Sequence, residues 1–273
     1  MGDSELSNWG AERTLGALAT LDETALPDDF LEVRTAEYRL IRYPKRLISP
    51  TLPAAQVVWS QTLRSLDIVF GEIASEVRGW ELEEFHWWVT STTRPLDTEQ
   101  HLLARGGDVS DSYQVLAREL RGEVSEVVVP DGVRVELVRD ERSLRAAIFV
   151  ETEGWGRAPS DEAAISHRLT EALHDLETSA GFQFVAFIDG EPVSTGCCSI
   201  AGEVGRLYGA VTLPDSRLRG CYQAVLSSRL LQARDFGATI ALTRGRPLTS
   251  GRILVKAGFT VYGLENCYRL SID

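Results

Sequence analysis

Residues 211–224 read Val211-Thr-Leu-Pro-Asp-Ser-Arg-Leu-Arg-Gly-Cys-Tyr-Gln-Ala224. An apolar run from Leu207 to Leu213 stops at Pro214, and a short turn rich in Asp, Ser and Arg comes next. Arg217-x-x-Gly220 then opens a stretch of helical character that continues to Phe236. A strand that delivers a basic, glycine-containing turn to a helix N-terminus forms an anion site. The first N–H groups of such a helix have no intrahelical partner, and its dipole adds partial positive charge. Gly220 admits close backbone approach, and Arg217 and Arg219 supply charge-assisted hydrogen bonds.

The flanks have a regular pattern. Upstream, Val133 to Val138 alternates as a strand and Glu141 to Val150 has helical spacing. Gly154, Gly156 and Pro159 break the chain, and Ser160 is placed to cap a helix reaching Leu176. Phe182 to Ile188 is a strand, Asp189-Gly190 a two-residue hairpin turn, and Pro192 to Ile200 the returning strand. A turn at Gly202 to Gly205 leads into the Leu207 strand. Downstream, Gly237 precedes a strand over 238–243, and residues 249–257 are helical. Gly258-Phe259 then introduces a terminal strand through Tyr262 toward Leu270.

The turn resembles the acyl-CoA pyrophosphate loop of the GNAT N-acyltransferase superfamily, Gln/Arg-x-x-Gly-x-Gly/Ala. Arg217 and Gly220 match, and Tyr222 stands where the family has its last small residue. The order β-α-α-β-β-β-α-β-α-β over residues 132–263 is that of the family's domain. Ser250 to Phe259, Ser-Gly-Arg-Ile-Leu-Val-Lys-Ala-Gly-Phe, is similar to its second signature, a short helix ending in Gly-Phe. The resemblance implies an α/β fold on a mixed sheet and an acyl-CoA donor, acetyl-CoA or a relative, with the amine of a small molecule as acceptor. It implies that Val211, Thr212 and Leu213 offer backbone to the pantetheine arm and to the oxyanion. Arg217 and the stretch Arg219, Gly220, Cys221, Tyr222, Gln223 and Ala224 would hold the pyrophosphate.

Two departures concern proton transfer. Many family members place a Tyr four residues before the Gly of Gly-Phe; that position is Leu254, which carries no proton. The frequent Asn ahead of the same helix is replaced by Pro247, with Thr249 and Ser250 the nearest hydroxyls. Tyr208, on the strand before the loop, and Tyr222 are the local alternatives as acid. Glu153 is the candidate base, in the Glu151-Thr-Glu-Gly-Trp-Gly156 segment read as a loop that shapes the acceptor pocket. His167 and His174 lie two helical turns apart, too far to share a ligand, and His86 beside Trp87-Trp88 is expected to pack in a strand.

The first half has the same architecture in degenerate form. Glu37 to Tyr43 reads as a strand, and residues 54–77 as one long helix whose stripe is Trp59, Leu63, Leu66, Phe70, Ile73 and Val77. Next come Gly79, a strand over 85–89, a short helix over 96–105, Gly106-Gly107 and an extended or helical piece over 113–120. The order repeats that of 207–270. Between the strand ending at 43 and residue 54 stands Ser49-Pro-Thr-Leu-Pro53, with no glycine and two prolines that lack N–H donors. The chain is therefore expected to be a tandem: residues 1–125 a partial GNAT-like domain without a donor site, residues 132–273 a complete one, joined by 122–132.

Composition narrows the function classes. With 273 residues, 44% hydrophobic content and six Trp, the chain can bury two modest cores. Its net charge of −12 argues against nucleic acid and anionic membrane as partners. It equally argues against an aminoacyl-tRNA-dependent transferase. The four cysteines have no metal-ligand spacing and read as free thiols. A polar start over Met1 to Trp9 and the lack of an 18-residue apolar window are expected of a cytoplasmic protein. Two alternatives to a CoA-dependent enzyme stand beside it: a transferase fed by the phosphopantetheine thioester of an acyl carrier protein, and a CoA-binding regulatory protein without turnover.

Overall fold

The computed structural model describes residues 9–19, 29–49, 52–121 and 129–272. In chain order it forms α1 (Ala11–Ala19), β1 (Leu31–Arg34), β2 (Tyr38–Arg42), β3 (Ala55–Ser60), α2 (Leu66–Gly79), β4 (Glu84–Val89), α3 (Thr98–Ala104) and β5 (Asp108–Glu119). The second half adds β6 (Val133–Leu137), α4 (Glu141–Trp155), α5 (Glu162–Glu177), β7 (Gly181–Ile188), β8 (Glu191–Ala201) and β9 (Val204–Thr212). It ends with α6 (Cys221–Asp235), β10 (Ile240–Gly245), α7 (Ser250–Lys256) and β11 (Thr260–Ser271). The order expected for the second half is the one observed. Most of the joining segment, residues 122–128, lies outside the described residues.

All eleven strands form one mixed sheet in the order β1-β2-β3-β4-β11-β5-β10-β9-β8-β7-β6. Two neighbouring pairs run parallel, β3 with β4 and β9 with β10, each joined by a helix, α2 and α6. The sequence β3-β4-β11 mirrors β9-β10-β5, so a pseudo-twofold axis passes through the sheet between β11 and β5. Each half gives its last strand to the other: β11 sits between β4 and β5, and β5 between β11 and β10.

Four buried clusters hold the layers. Phe182, Phe184 and Ala186 of β7 face α6, with Leu207, Val225, Leu230 and Leu254. Val185 and Phe187 point the other way, onto Leu144, Ala147, Ile148 and Ile165 of α4 and α5. α1 covers Val115, Ala117, Ile240 and Leu242 through Leu18, next to Trp9. In the first half Leu66, Val69, Phe70, Ile73 and Val77 of α2 close on Phe85 and Trp87, and β11 contributes Tyr268 and Leu270.

The long helix expected over 54–77 is two elements. Residues 55–60 carry the β-branched pair Val57-Val58 and form β3, inside the sheet between β2 and β4. The helix begins only at Leu66, where the Ser65 side chain accepts from the Asp67 N–H and caps it. Trp59 and Leu63 continue the α2 spacing by coincidence, and Leu63, on the connecting loop, is fully exposed. Leu66, Phe70, Ile73 and Val77 are buried as expected. The counterpart of the anion turn is therefore Gln61-Thr-Leu-Arg-Ser65, not residues 49–53; it too has no glycine.

Three smaller differences matter for the site. β5 is a strand throughout. α4 runs on through Trp155 to a left-handed cap at Gly156, so Glu151 to Trp155 is a helical turn rather than a loop. The cap of α5 is Asp161, whose side chain accepts from the Ala164 N–H, rather than Ser160.

Candidate functional site

The anion turn and the open strand pair meet at one place. β9 and β10 pair only from Val204 and Ile240 to Leu207 and Thr243. Beyond Leu207, residues 208–212 of β9 run on without a β10 partner. Their free side faces a wedge between two diverging parallel strands. Backbone groups left open in this way await a partner, and an extended ligand arm supplies one as a strand would. A register shift between Thr195 and Cys197 marks a bulge in β9, where Gly209 has φ +61°. Arg229 of α6, 1% exposed, donates from Nη1 to Cys197 O at 3.2 Å and lies 3.5 Å from Tyr208 O, satisfying carbonyls next to the bulge.

At the mouth of the wedge the chain makes a short 3-10 turn over Pro214–Ser216 and enters α6 through Arg217-Leu-Arg-Gly220. The first helical hydrogen bond is Ala224 N–H to Gly220 O, 3.0 Å. The N–H groups of Cys221, Tyr222 and Gln223 therefore project from the helix end, with no side-chain cap. Arg217 and Arg219 are exposed, and neither has an acidic partner among the described residues. Arg217 Nε lies 3.4 Å from Thr212 O. Gly220 has φ +79°, and a Cβ there would stand 2.4 Å from Pro130 Cγ, so the glycine answers to its backbone angle and to Pro130. Tyr222 turns inward against the α6 core, leaving the helix end clear of its ring.

The first half shows what a closed wedge looks like. Aligned on their last paired residues, Val57 with Trp87 and Leu207 with Thr243, Phe85 and Trp87 of β4 correspond to Ala241 and Thr243 of β10. Trp87 is fully buried, stacks near Phe85 at 6.3 Å, and donates from Nε1 to Ser60 Oγ at 3.0 Å. Arg64, the cation of the corresponding turn, is spent on Glu37 and Glu72. In the second half Thr243 only reaches back to Leu207 O, 3.0 Å. Small side chains thus stand in the second half where indole and phenyl rings stand in the first.

The remaining expected residues divide between core and site. Leu254 is core, 1% exposed, and closes α7 onto β10. Ser250 Oγ accepts from the Arg246 N–H at 2.9 Å and so serves the α7 entry. Tyr208 is 57% exposed. The neighbouring Cys197 pushes its phenol up, so it keeps its proton at neutral pH. Glu153 is exposed on the last turn of α4. That turn lies against β9 at the bulge: a Cβ on Gly154 would stand 2.5 Å from Val211 Cγ2. The end of α4, with Glu153, and Tyr208 are thus brought to one region of the sheet. His167 is an exposed residue beside Glu171, and His86 packs in β4, lowered by burial, as expected.

Sequence reasoning missed Glu151, the buried carboxylate of this region. Its oxygens take both terminal nitrogens of Arg168 at 2.7 Å, and Oε1 also accepts from Gln183 Nε2 at 2.8 Å. The sign was present: Leu144, Ala147, Ile148 and Glu151 share one helical face, and a carboxylate there needs a partner. Also missed were Arg229 and a short echo at the mouths, Leu63-Arg64 with Arg94-Pro-Leu96 in one half and Leu218-Arg219 with Arg246-Pro-Leu248 in the other.

No protein-family model matches the sequence, and no curated protein is a significant match to it. Solved structures do match. A GCN5-related N-acetyltransferase from Kribbella flavida aligns with TM-score 0.61 at 18% identity, over 95% of this chain and 93% of that one. Another, from Sphaerobacter thermophilus, aligns with TM-score 0.67 at 15% identity, over 94% and 85%. A tandem GNAT protein of the clavulanic acid biosynthesis pathway aligns with TM-score 0.59 at 14% identity, over 91% and 85%. The chain has the GNAT fold. The aligned lengths take in both halves, so the likeness is not confined to the second half. At these identities the likeness is one of fold, and the chemistry rests on the site itself.

Proposed function

We propose that the protein is an N-acyltransferase that moves an acyl group from acyl-CoA to an amine, with a single donor site in the wedge between β9 and β10. The supporting observation is the contrast between the two strand pairs: the small side chains of Ala241 and Thr243 stand in one where Phe85 and Trp87 stand in the other. The residues fit the donor. The α6 N–H groups, Arg217 and Arg219 suit a pyrophosphate, and the unpaired edge of 208–212 suits an amide-bearing arm. In the reaction the amine nitrogen attacks the thioester carbon, the carbonyl oxygen becomes an oxyanion, and the C–S bond then breaks. The backbone at the bulge stabilises the oxyanion, a base removes the ammonium proton, and Tyr208 protonates the departing thiolate.

On this reading residues 1–125 form a donorless unit that walls the acceptor pocket, and residues 132–273 form the donor-bearing one. The four cysteines are free and buried, in keeping with a cytoplasmic protein. The test is calorimetric titration of acetyl-CoA into the wild type and Thr243→Trp, with thiol release measured across a panel of amines. One binding site, lost in Thr243→Trp, is expected; two sites, or binding indifferent to that change, would refute it.

A second reading draws on the mouth itself. Leu218 is fully exposed and Leu248 is 75% exposed, on the two loops that leave β9 and β10. Between Pro214 and Tyr262 there are eight basic and two acidic residues in a chain of net charge −12. Of these, Arg217 and Arg219 are exposed beside Leu218, and such a mouth also suits an acidic acyl carrier protein presenting a phosphopantetheine thioester. Turnover with carrier-bound but not CoA-bound donor would favour it. CoA binding without turnover from either donor would leave a regulatory protein.

A further inference from the structure

Arg157 comes directly after the left-handed cap of α4 and is held by its own N–H, which donates to Thr152 O at 3.0 Å. Its guanidinium lies over the Trp155 ring at 5.8 Å, and its Nε is buried with no hydrogen-bond acceptor. No ion pair or side-chain hydrogen bond engages it among the described residues. Arg206 and Arg229 also bury an unbonded Nε, but each has a partner elsewhere, Arg229 through its Nη1. Buried guanidinium groups are almost always satisfied, so one with no hydrogen-bond or ion-pair partner at all, at the end of the helix that borders the candidate site, calls for a ligand.

The charges facing it come from four elements. Glu151 of α4 attracts it, but both Glu151 oxygens are taken by Arg168 and Gln183. Arg168 of α5 repels it, as does Arg46 from the turn after β2, itself paired with Asp29 at 2.5 Å. On the sheet beneath, Cys197 of β8 is within electrostatic reach. Cys197 pairs across the strands with Tyr208, and the preceding turn of α4 packs on Val211. Burial lowers the Arg157 guanidinium from its usual range, as expected of a cation that has given up water without gaining a counter-ion.

We infer that the acceptor of this enzyme carries, besides its amine, a carboxylate or phosphate group that Arg157 binds. The guanidinium fork matches either anion through two parallel N–H···O bonds, with the Trp155 ring 5.8 Å away. In a chain of net charge −12 the bulk field repels anions, so their recognition needs a dedicated cation. The inference rests on the acyltransferase reading for the amine, though not for the anion.

The experiment uses the full chain and matched probes: α-amino acids against their amides, and amino-alkyl phosphates against the amino alcohols. Thiol release from acetyl-CoA and equilibrium binding to the CoA-saturated protein are both measured, for wild type, Arg157→Gln and Arg157→Lys. An anionic charge should favour kcat/KM and affinity by roughly tenfold or more. Arg157→Gln should bring each pair within about twofold, and Arg157→Lys should restore part of the gap. Unchanged melting temperature and CoA affinity show that the variants are folded. The carboxylate and phosphate arms separate the two anions. If neutral members bind as well as anionic ones, or if the preference survives Arg157→Gln, the inference is overturned. Anionic preference in binding without any turnover would sustain the anion site and remove the acyltransferase reading instead.

Discussion

At the residue scale, the proposed donor mouth and the buried ion pair make separate demands. Arg219 is exposed and free, so its removal touches the ligand and little else. Arg219→Ala should weaken acetyl-CoA binding roughly 10- to 150-fold, the loss of a charge-assisted contact, with the melting temperature unchanged. Calorimetry beside thermal melting measures both. Glu151 behaves in the opposite way. Glu151→Gln removes the charge that pairs with Arg168 and turns one of the two acceptor oxygens into an NH2 donor facing other donors, in a site whose carboxylate is 10% exposed. Arg168 keeps 35% of its side chain in water, so the cost is about 1–3 kcal/mol, below that of a fully buried pair. Denaturant midpoints of Glu151→Gln and Arg168→Gln would show it; two stable variants would mean that water readily replaces the pair. The two positions differ in how legible they are. Arg219 sits in a local motif with a backbone reason for its chemistry. Glu151 and Arg229 depend on partners 17 to 32 residues away, and Arg157 on a burial that only the folded chain creates. No spacing rule along the chain contains either.

At the element scale, α2 separates coincidence from packing. Phe70 meets Phe85 at 5.6 Å within the first-half core, whereas Leu63 is fully exposed on the loop before the helix. Phe70→Ala should cost about 3–5 kcal/mol. Leu63→Ala should lie within about 0.5 kcal/mol of wild type. Equal effects on the denaturant midpoint from the two would put the helix start back at residue 54. The error over 54–77 has a plain cause. A heptad-like spacing counts apolar residues and is blind to Val57-Val58, whose branched side chains suit a sheet, and to Ser65, which marks the true start. Where turn chemistry was explicit, as at Asp189-Gly190 with φ +52° and +89°, the sequence located the hairpin to the residue. The α4 extension went unseen because Gly154 reads as a breaker. Its helical place is secured by the close approach of Val211, a tertiary contact.

At the scale of the whole molecule, the exchange of β5 and β11 removes the independence of the two halves. Tyr268 and Leu270 belong to the first-half core although they lie on the last strand of the second half. Residues 132–273 expressed alone should lose the β5 neighbour of both β10 and β11, expose those edges, and aggregate. Co-expression with residues 1–125 should restore a monodisperse complex, as size-exclusion chromatography would report. A chain ending at Phe259 should raise hydrogen exchange in α2 and β4 of the first half as much as in β10. Protection lost from the second half alone would mean that β11 is an appendage. The tandem repeat was legible from the order of elements, while the exchange was not, since a terminal strand carries no mark of which sheet edge receives it.

The strand order also imposes a schedule on synthesis. β4 is complete at residue 89, yet the strand that lies against its open edge begins at residue 260. At the ribosome's pace of about 5–20 residues per second, that interval is roughly 10–30 s. During it the nascent first half holds Phe85 and Trp87 beside an unpaired edge, with β5 waiting for both of its neighbours. Folding of this chain therefore waits on its last strand, and any fusion or tag that delays the docking of β11 will act first on the half that was made first.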